Sequence, residues 1–258
     1  MPRLAGAQRL ETARDLLVVD GVGRTFAGAT PVNALKYASF RVPEGELVGI
    51  VGRSGSGKST LLNVLGLLDV FTRGEYSVGE TSIAELSERE RTNLRATFFG
   101  FVFQQAFLLG ACTAQENVEL SLRPRSMPKA DRQRMALEAL VDVGLHHRRG
   151  FLARTLSGGE CQRVAIARAI AQGPRVLLCD EPTGNLDERT TDEILGLLAN
   201  ANESGTTVIL VTHDLRIARE LPRVLTVRDG IVSEGLHEES MVGPAPGDNR
   251  VANTRRTT

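Results

Sequence analysis

The chain has 258 residues, 41% hydrophobic and 24% charged, the balance of an ordinary globular protein built as one large domain or two small ones. Basic and acidic side chains balance at 31 each, so no overall field is available to hold nucleic acid or an anionic membrane, and no nucleic-acid partner is expected. Cys112, Cys161 and Cys179 form no C-x-x-C pair and are odd in number, which fits a reducing compartment better than a disulfide framework.

The opening segment 1–15, MPRLAGAQRLETARD, lacks the unbroken hydrophobic core of a signal peptide and is expected to be flexible. No apolar run along the chain approaches the roughly 20 residues that cross a bilayer. A cytoplasmic location is expected, with membrane work done through a partner. Residues 16–47 and roughly 70–80 are expected to form a β-rich lobe. LVGIVG (47–52), VLLCD (176–180) and TVILVTHD (207–214) are short apolar runs without a polar alternate face, as expected for strands of a parallel sheet covered on both sides. Each runs into polar residues, and in open parallel sheets ligands bind just beyond the carboxyl ends of the strands.

After the first of these strands comes GRSGSGKST, which satisfies G-x-x-x-x-G-K-[ST], and then STLLNVLGLL, where Leu61, Leu62, Leu65 and Leu68 share one helical face. Gly52, Gly55 and Gly57 let the loop curl its N–H groups inward at phosphate oxygens, and the new helix adds its positive end. Residues Gly52, Arg53, Ser54, Gly55, Ser56, Gly57, Lys58, Ser59 and Thr60 are therefore the candidate phosphate cradle. Lys58 is placed to reach the β and γ phosphates, and the Ser59 hydroxyl to ligate Mg²⁺.

Residues from about 84 to 172 read as a helical lobe. In DRQRMALEALVDVGL, Met135, Leu137, Ala139, Leu140 and Val143 recur at helical spacing as a core face. The basic stretch 123–134 reads as a solvated face, and His146-His147 has no partner at metal-like spacing. TLSGGECQRVAIARAIAQGP (155–174) opens with Ser157 as N-cap and Glu160 three residues on, a capping box, and stops at Gly173-Pro174. Capping does not call for Gly158-Gly159, which cost helix stability at about 1 kcal/mol each relative to alanine. A bare helix start is a second phosphate-binding terminus.

VLLCDEPTGNLD (176–187) carries Asp180 out on a strand end, placed to hold the metal, with Glu181 beside it to orient an attacking water. The tail, 237–258, is rich in glycine, proline and polar residues and is expected to be disordered.

These motifs, in this order, resemble the ATP-binding-cassette (ABC) ATPases. GRSGSGKST resembles their Walker A, FQ ending at Gln104 their Q-loop, LSGGE their signature, VLLCDEPTGNLD their Walker B and D-loop, and VTHD their H-loop. SGSGKSTLLNVLGLLD, GFVFQQAFLL, TAQENVEL and DEPTGNLDERT resemble most the branch of lipoprotein-releasing and macrolide-exporter ATPases. The resemblance covers about 16–236 and implies an α/β P-loop NTPase with a RecA-like core, a β-rich lobe and a helical lobe. It implies ATP and Mg²⁺ as cofactors. It further implies a head-to-tail dimer in which the Ser157, Gly158 and Gly159 tip of one copy closes over ATP held by the other, with an integral-membrane permease as second partner.

By the same resemblance Phe26 stacks on adenine, Gln104 contacts Mg²⁺, His213 contacts the γ-phosphate and supports Glu181, and Asp187 lies between the two sites. The implied task is powering export or lipid-anchored cargo extraction. A division-linked relative that signals across the membrane without moving cargo is the second reading. A chromosome-maintenance ATPase would need a long heptad insertion or zinc fingers within 61–156, and neither is there. Glu160 and Cys161 stand where the branch has glutamines, and Gly110 and Cys112 where it tends to have proline and leucine.

Overall fold

The computed structural model describes residues 14–123 and 127–241. The N-terminal residues 1–13 and the tail from 242, both read as unstructured from sequence, lie outside the described residues, as do 124–126 of the basic stretch. Among the described residues ten strands form one sheet. In chain order they are β1 (Asp15–Phe26), β2 (Val32–Pro43), β3 (Leu47–Val51), β4 (Arg73–Val78), β5 (Thr81–Ser82), β6 (Phe99–Phe103), β7 (Val176–Asp180), β8 (Thr207–Thr212), β9 (Arg223–Arg228) and β10 (Ile231–Glu234). Their order across the sheet is β5-β4-β1-β2-β10-β9-β3-β8-β7-β6. β9, β3, β8, β7 and β6 are parallel. β1, β2, β4 and β5 form an antiparallel wing joined to the rest through β10.

The three apolar runs without a polar face are β3, β7 and β8, and their alternation explains that composition. In a strand, successive side chains point to opposite faces. Leu47, Val51, Leu177, Cys179, Val208 and Leu210 enter one core. Val48, Ile50, Val176, Leu178, Ile209 and Val211 enter another on the opposite face. The first core is closed by α3 (Ala114–Leu122), α4 (Lys129–Asp142), α5 (Gly158–Ile170), α6 (Glu188–Glu203) and α7 (Leu215–Glu220). The second is closed by α1 (Lys58–Leu65) and the antiparallel wing. α2 (Glu88–Phe98) lies between β5 and β6.

Two expectations change. Leu68 does not share the α1 face: the helix ends at Leu65, and Leu68 is exposed. A Cβ at Gly66 would stand 2.5 Å from the Phe101 ring, so the chain packs tightly against β6 and then turns away through Leu67 at φ +56°. Within 84–172, Phe99–Phe103 is not helical but the edge strand of the parallel sheet, beside β7. Residues 238–240, read as part of the disordered tail, form a 3₁₀ turn, with Glu238 bonded to Arg219.

Candidate functional site

Strand register assembles the rim. Val51 pairs with Thr212, Val211 with Asp180, and Asp180 with Phe103. The residues next in line, Gly52, His213, Glu181 and Gln104, therefore leave neighbouring strands side by side. They line one cleft of 1030 Å³ together with the 52–60 loop and Asp180.

The loop's glycines have separate reasons. Gly52, at φ +151°, has no room for a side chain, since a Cβ would lie 2.2 Å from the Val227 carbonyl oxygen. At Gly57, φ +111°, a Cβ would lie 2.5 Å from the Ala34 carbonyl oxygen. Gly55, at φ +77°, has open space around it, so there the backbone turn is the requirement. The turn between β9 and β10 braces the loop: Gly230 N donates to Ser56 O at 2.9 Å, and Gly230 O accepts from Lys36 N at 2.6 Å.

Lys58 is buried and donates through Nζ to the Gly52 and Arg53 carbonyls, both at 2.9 Å. The ammonium is thereby held inside the curl of the loop. Burial lowers its pKa, opposed by the charges of Glu181 and Asp180.

The adjacent carboxylates diverge. Asp180 continues the strand, and burial raises its pKa, a shift that the neighbouring Ser59 hydroxyl opposes. Its Oδ1 is buried without a protein partner. An orphaned carboxylate oxygen beside a serine hydroxyl is an all-oxygen pair that suits a hard divalent cation such as Mg²⁺.

Glu181 turns off the strand at φ +49°, a left-handed conformation that costs an ordinary residue roughly 1–2 kcal/mol. Glu181 N donates to Val211 O, and Glu181 O accepts from Gly184 N, which holds the turn. Glu181 Oε2 then lies 2.8 Å from His213 Nδ1. Gln104 donates through Nε2 to Asn185 Oδ1 at 3.3 Å. It crosses Gly184 so closely that a Cβ there would stand 2.8 Å from Nε2.

The second helix tip stands apart from this cleft. Ser157 Oγ accepts from Glu160 N and Glu160 Oε2 accepts from Ser157 N, the capping box expected. The two glycines differ. Gly158 has nothing nearer a potential Cβ than Leu186 at 4.0 Å, whereas a Cβ at Gly159 would meet the Thr190 Cγ2 methyl at 2.6 Å. Gly159 is thus bare for a reason within its own chain. Thr190 is in turn held by Asp187, whose Oδ1 accepts from Thr190 N and whose Oδ2 accepts from Thr190 Oγ1.

Of the expected site residues, 52–60, Gln104, Asp180, Glu181 and His213 share one cleft, while Phe26, Ser157, Gly158, Gly159 and Asp187 do not line it. Phe26 is half exposed at the end of β1, paired with the cleft residue Val32, and the Arg24 guanidinium lies 4.5 Å from its ring. Asn185 and the Asp229-Gly230 turn were missed from sequence. The signal for the turn is D-G between two alternating runs.

The sequence profile of the ABC transporter family matches residues 35–184. The macrolide export ATP-binding/permease protein MacB of Chlorobium luteolum is 45% identical over 231 residues, 89% of this chain and 35% of that protein. MacB 1/2 of Paracoccus denitrificans is 42% identical over 239 residues, 92% of this chain and 36% of that protein. The chain spans about a third of the length of these curated relatives.

Among solved structures, the ATP-binding cassette MJ0796, a dimer in a post-hydrolysis state bound to ADP and Pi, superposes with a TM-score of 0.78. It is 40% identical, over 88% of this chain and 99% of that one. CbiO1 from Clostridium perfringens, part of the CbiONQ transporter complex, superposes at 0.77 with 28% identity, over 86% of this chain and 88% of that one. A phosphate-type loop, paired carboxylates and a capped second helix tip on this sheet agree with both kinds of match: the chain belongs to the ABC transporter family, as an ATP-binding cassette.

Proposed function

We propose that two copies of the chain bind two ATP molecules between them, hydrolyse them, and thereby drive an integral-membrane permease. The observation that carries this is the separation of two anion-seeking groups. One cleft holds the 52–60 loop, Asp180, Glu181, Gln104 and His213, while the open Ser157-Gly158 tip is not part of its lining. A single nucleotide in the cleft leaves that tip without a phosphate, and a second copy arranged head to tail supplies one. MJ0796 was solved as a dimer, which supports the pairing of two copies.

In this reading the loop N–H groups and Lys58 cradle the β and γ phosphates. Arg53, Ser54 and Thr60 flank them. Ser59, Asp180 and the Gln104 amide oxygen would hold Mg²⁺, which when bound neutralises charge between the phosphates. Glu181 orients and polarises the attacking water, and His213 fixes the Glu181 carboxylate and reaches the γ-phosphate. Phe26 stacks on the adenine, and Ser157, Gly158 and Gly159 of the second copy seal the γ-phosphate. Asp187 shapes the segment between the two sites.

Binding then favours the joined state and hydrolysis the parted one, and the difference in binding free energy is what moves the permease. The macrolide export proteins named above support export as the direction of work. The cassette would sit on the cytoplasmic face of the membrane, held there by the permease. Measurement of ATP turnover against protein concentration tests this reading: turnover per chain should rise with concentration as copies pair. A specific rate that stays constant down to concentrations where the chain is monomeric contradicts it.

A further inference from the structure

We propose that Arg148 is a positioning residue of the two-copy site, cancelling the charge of Glu160 where the α5 tip must approach the other copy's triphosphate. The inference rests on the two-copy reading above. Glu160 is the third residue of α5, and its Oε2 accepts from Ser157 N at 2.9 Å. That bond is the first cause of a lowered carboxyl pKa, which favours the charged form. It draws on the same positive helix end that would otherwise attract a phosphate.

The other carboxylate oxygen, Oε1, lies 2.9 Å from Arg148 Nε. Arg148 ends the 3₁₀ turn His146–Arg148 and is steadied by the Phe151 ring, 4.7 Å from its guanidinium carbon. The arginine thus arrives from a separate turn, outside the signature itself. It restores to the tip the charge balance that a neutral glutamine at 160 would have had from the start. Glutamine at 160 retains an oxygen to accept from Ser157 N, so the cap and the charge can be separated by substitution.

The test uses the full chain carrying Glu181→Gln, in which the two-copy reading expects ATP-bound dimers to accumulate. Dimer formation is followed by light scattering against MgATP concentration. Arg148→Ala in this parent should raise the half-saturating ATP concentration about 3- to 5-fold, a change expected of one partly screened charge. Arg148→Lys should stay within about 2-fold of the parent, and adding Glu160→Gln to Arg148→Ala should return it to that range.

Unchanged ATP dependence in Arg148→Ala overturns the inference. So does a defect that persists with Glu160→Gln, because Arg148 would then act only as a tether for its turn. A parent that stays monomeric in MgATP removes the two-copy reading, and this inference falls with it.

Discussion

Gly159 and Thr190 are packed so closely that a single added carbon at 159 would stand 2.6 Å from the threonine methyl. Asp187 in turn holds Thr190, so the start of α5 packs directly on the capped start of α6. Gly159→Ala should therefore lower the thermal midpoint by a few degrees, overpacking at about 1–3 kcal/mol outweighing the helix-propensity gain. Thr190→Ser removes the methyl and keeps the hydroxyl that donates to Asp187, so the double variant should recover. Gly158→Ala, in open space, should leave the midpoint unchanged or raised. A thermal melt in which both alanine variants behave alike contradicts this division of labour.

Glu181 and His213 are joined at 2.8 Å. Glu181→Gln should retain ATP affinity and slow hydrolysis by about 100-fold or more, within the range ascribed to general-base action. His213→Ala leaves the carboxylate in place but unfixed and should slow turnover less, with little change in ATP affinity. Single-turnover hydrolysis separates the two effects from binding. Near-wild-type turnover in Glu181→Gln would remove glutamate from the role of base.

Asp180 carries a buried oxygen with no protein partner, and its pKa is raised by burial. An acid whose folded pKa lies above its unfolded pKa binds its proton more tightly when folded. Its ionisation therefore weakens the fold as pH rises through that folded pKa, and the penalty vanishes once pH falls below the unfolded value. Asp180→Asn should raise the midpoint of the nucleotide-free protein at neutral pH by about 2–4 °C, equivalent to roughly 1 kcal/mol. The advantage should shrink as pH falls, and Mg²⁺-dependent hydrolysis should be lost. Melts of both proteins across pH, without nucleotide, check the sign.

Much of the site was legible because phosphate-binding turns leave rigid traces: glycine spacing, a lysine, and strands greasy on both faces. β3, β7 and β8 could be read from composition alone, since both of their faces are buried up to the partly exposed Asp180. β6 was hidden because FGFVF was claimed by the glutamine that follows it, and an edge strand of five residues has little periodicity of its own. The capping box at Ser157 was read, yet the same S/T-x-x-E signal at Ser87 and Thr113 starts α2 and α3 and went unused. The tie between Gly159 and Thr190 and the ion pair between Arg148 and Glu160 cross from one element to another. No local pattern carries such information, which enters only with the packing.

The most direct measurement mixes two disabled copies. Lys58→Ala destroys the phosphate loop, and Gly158→Glu places a carboxylate on the open tip; each variant alone should neither occlude nor hydrolyse ATP. In a mixed pair, one site joins the intact loop of the second variant to the intact tip of the first. Mixing should therefore restore ATP occlusion at one nucleotide per dimer, together with measurable hydrolysis. Should the mixture stay as inactive as its components, or Gly158→Glu alone retain full occlusion, the loop and tip do not meet across two copies.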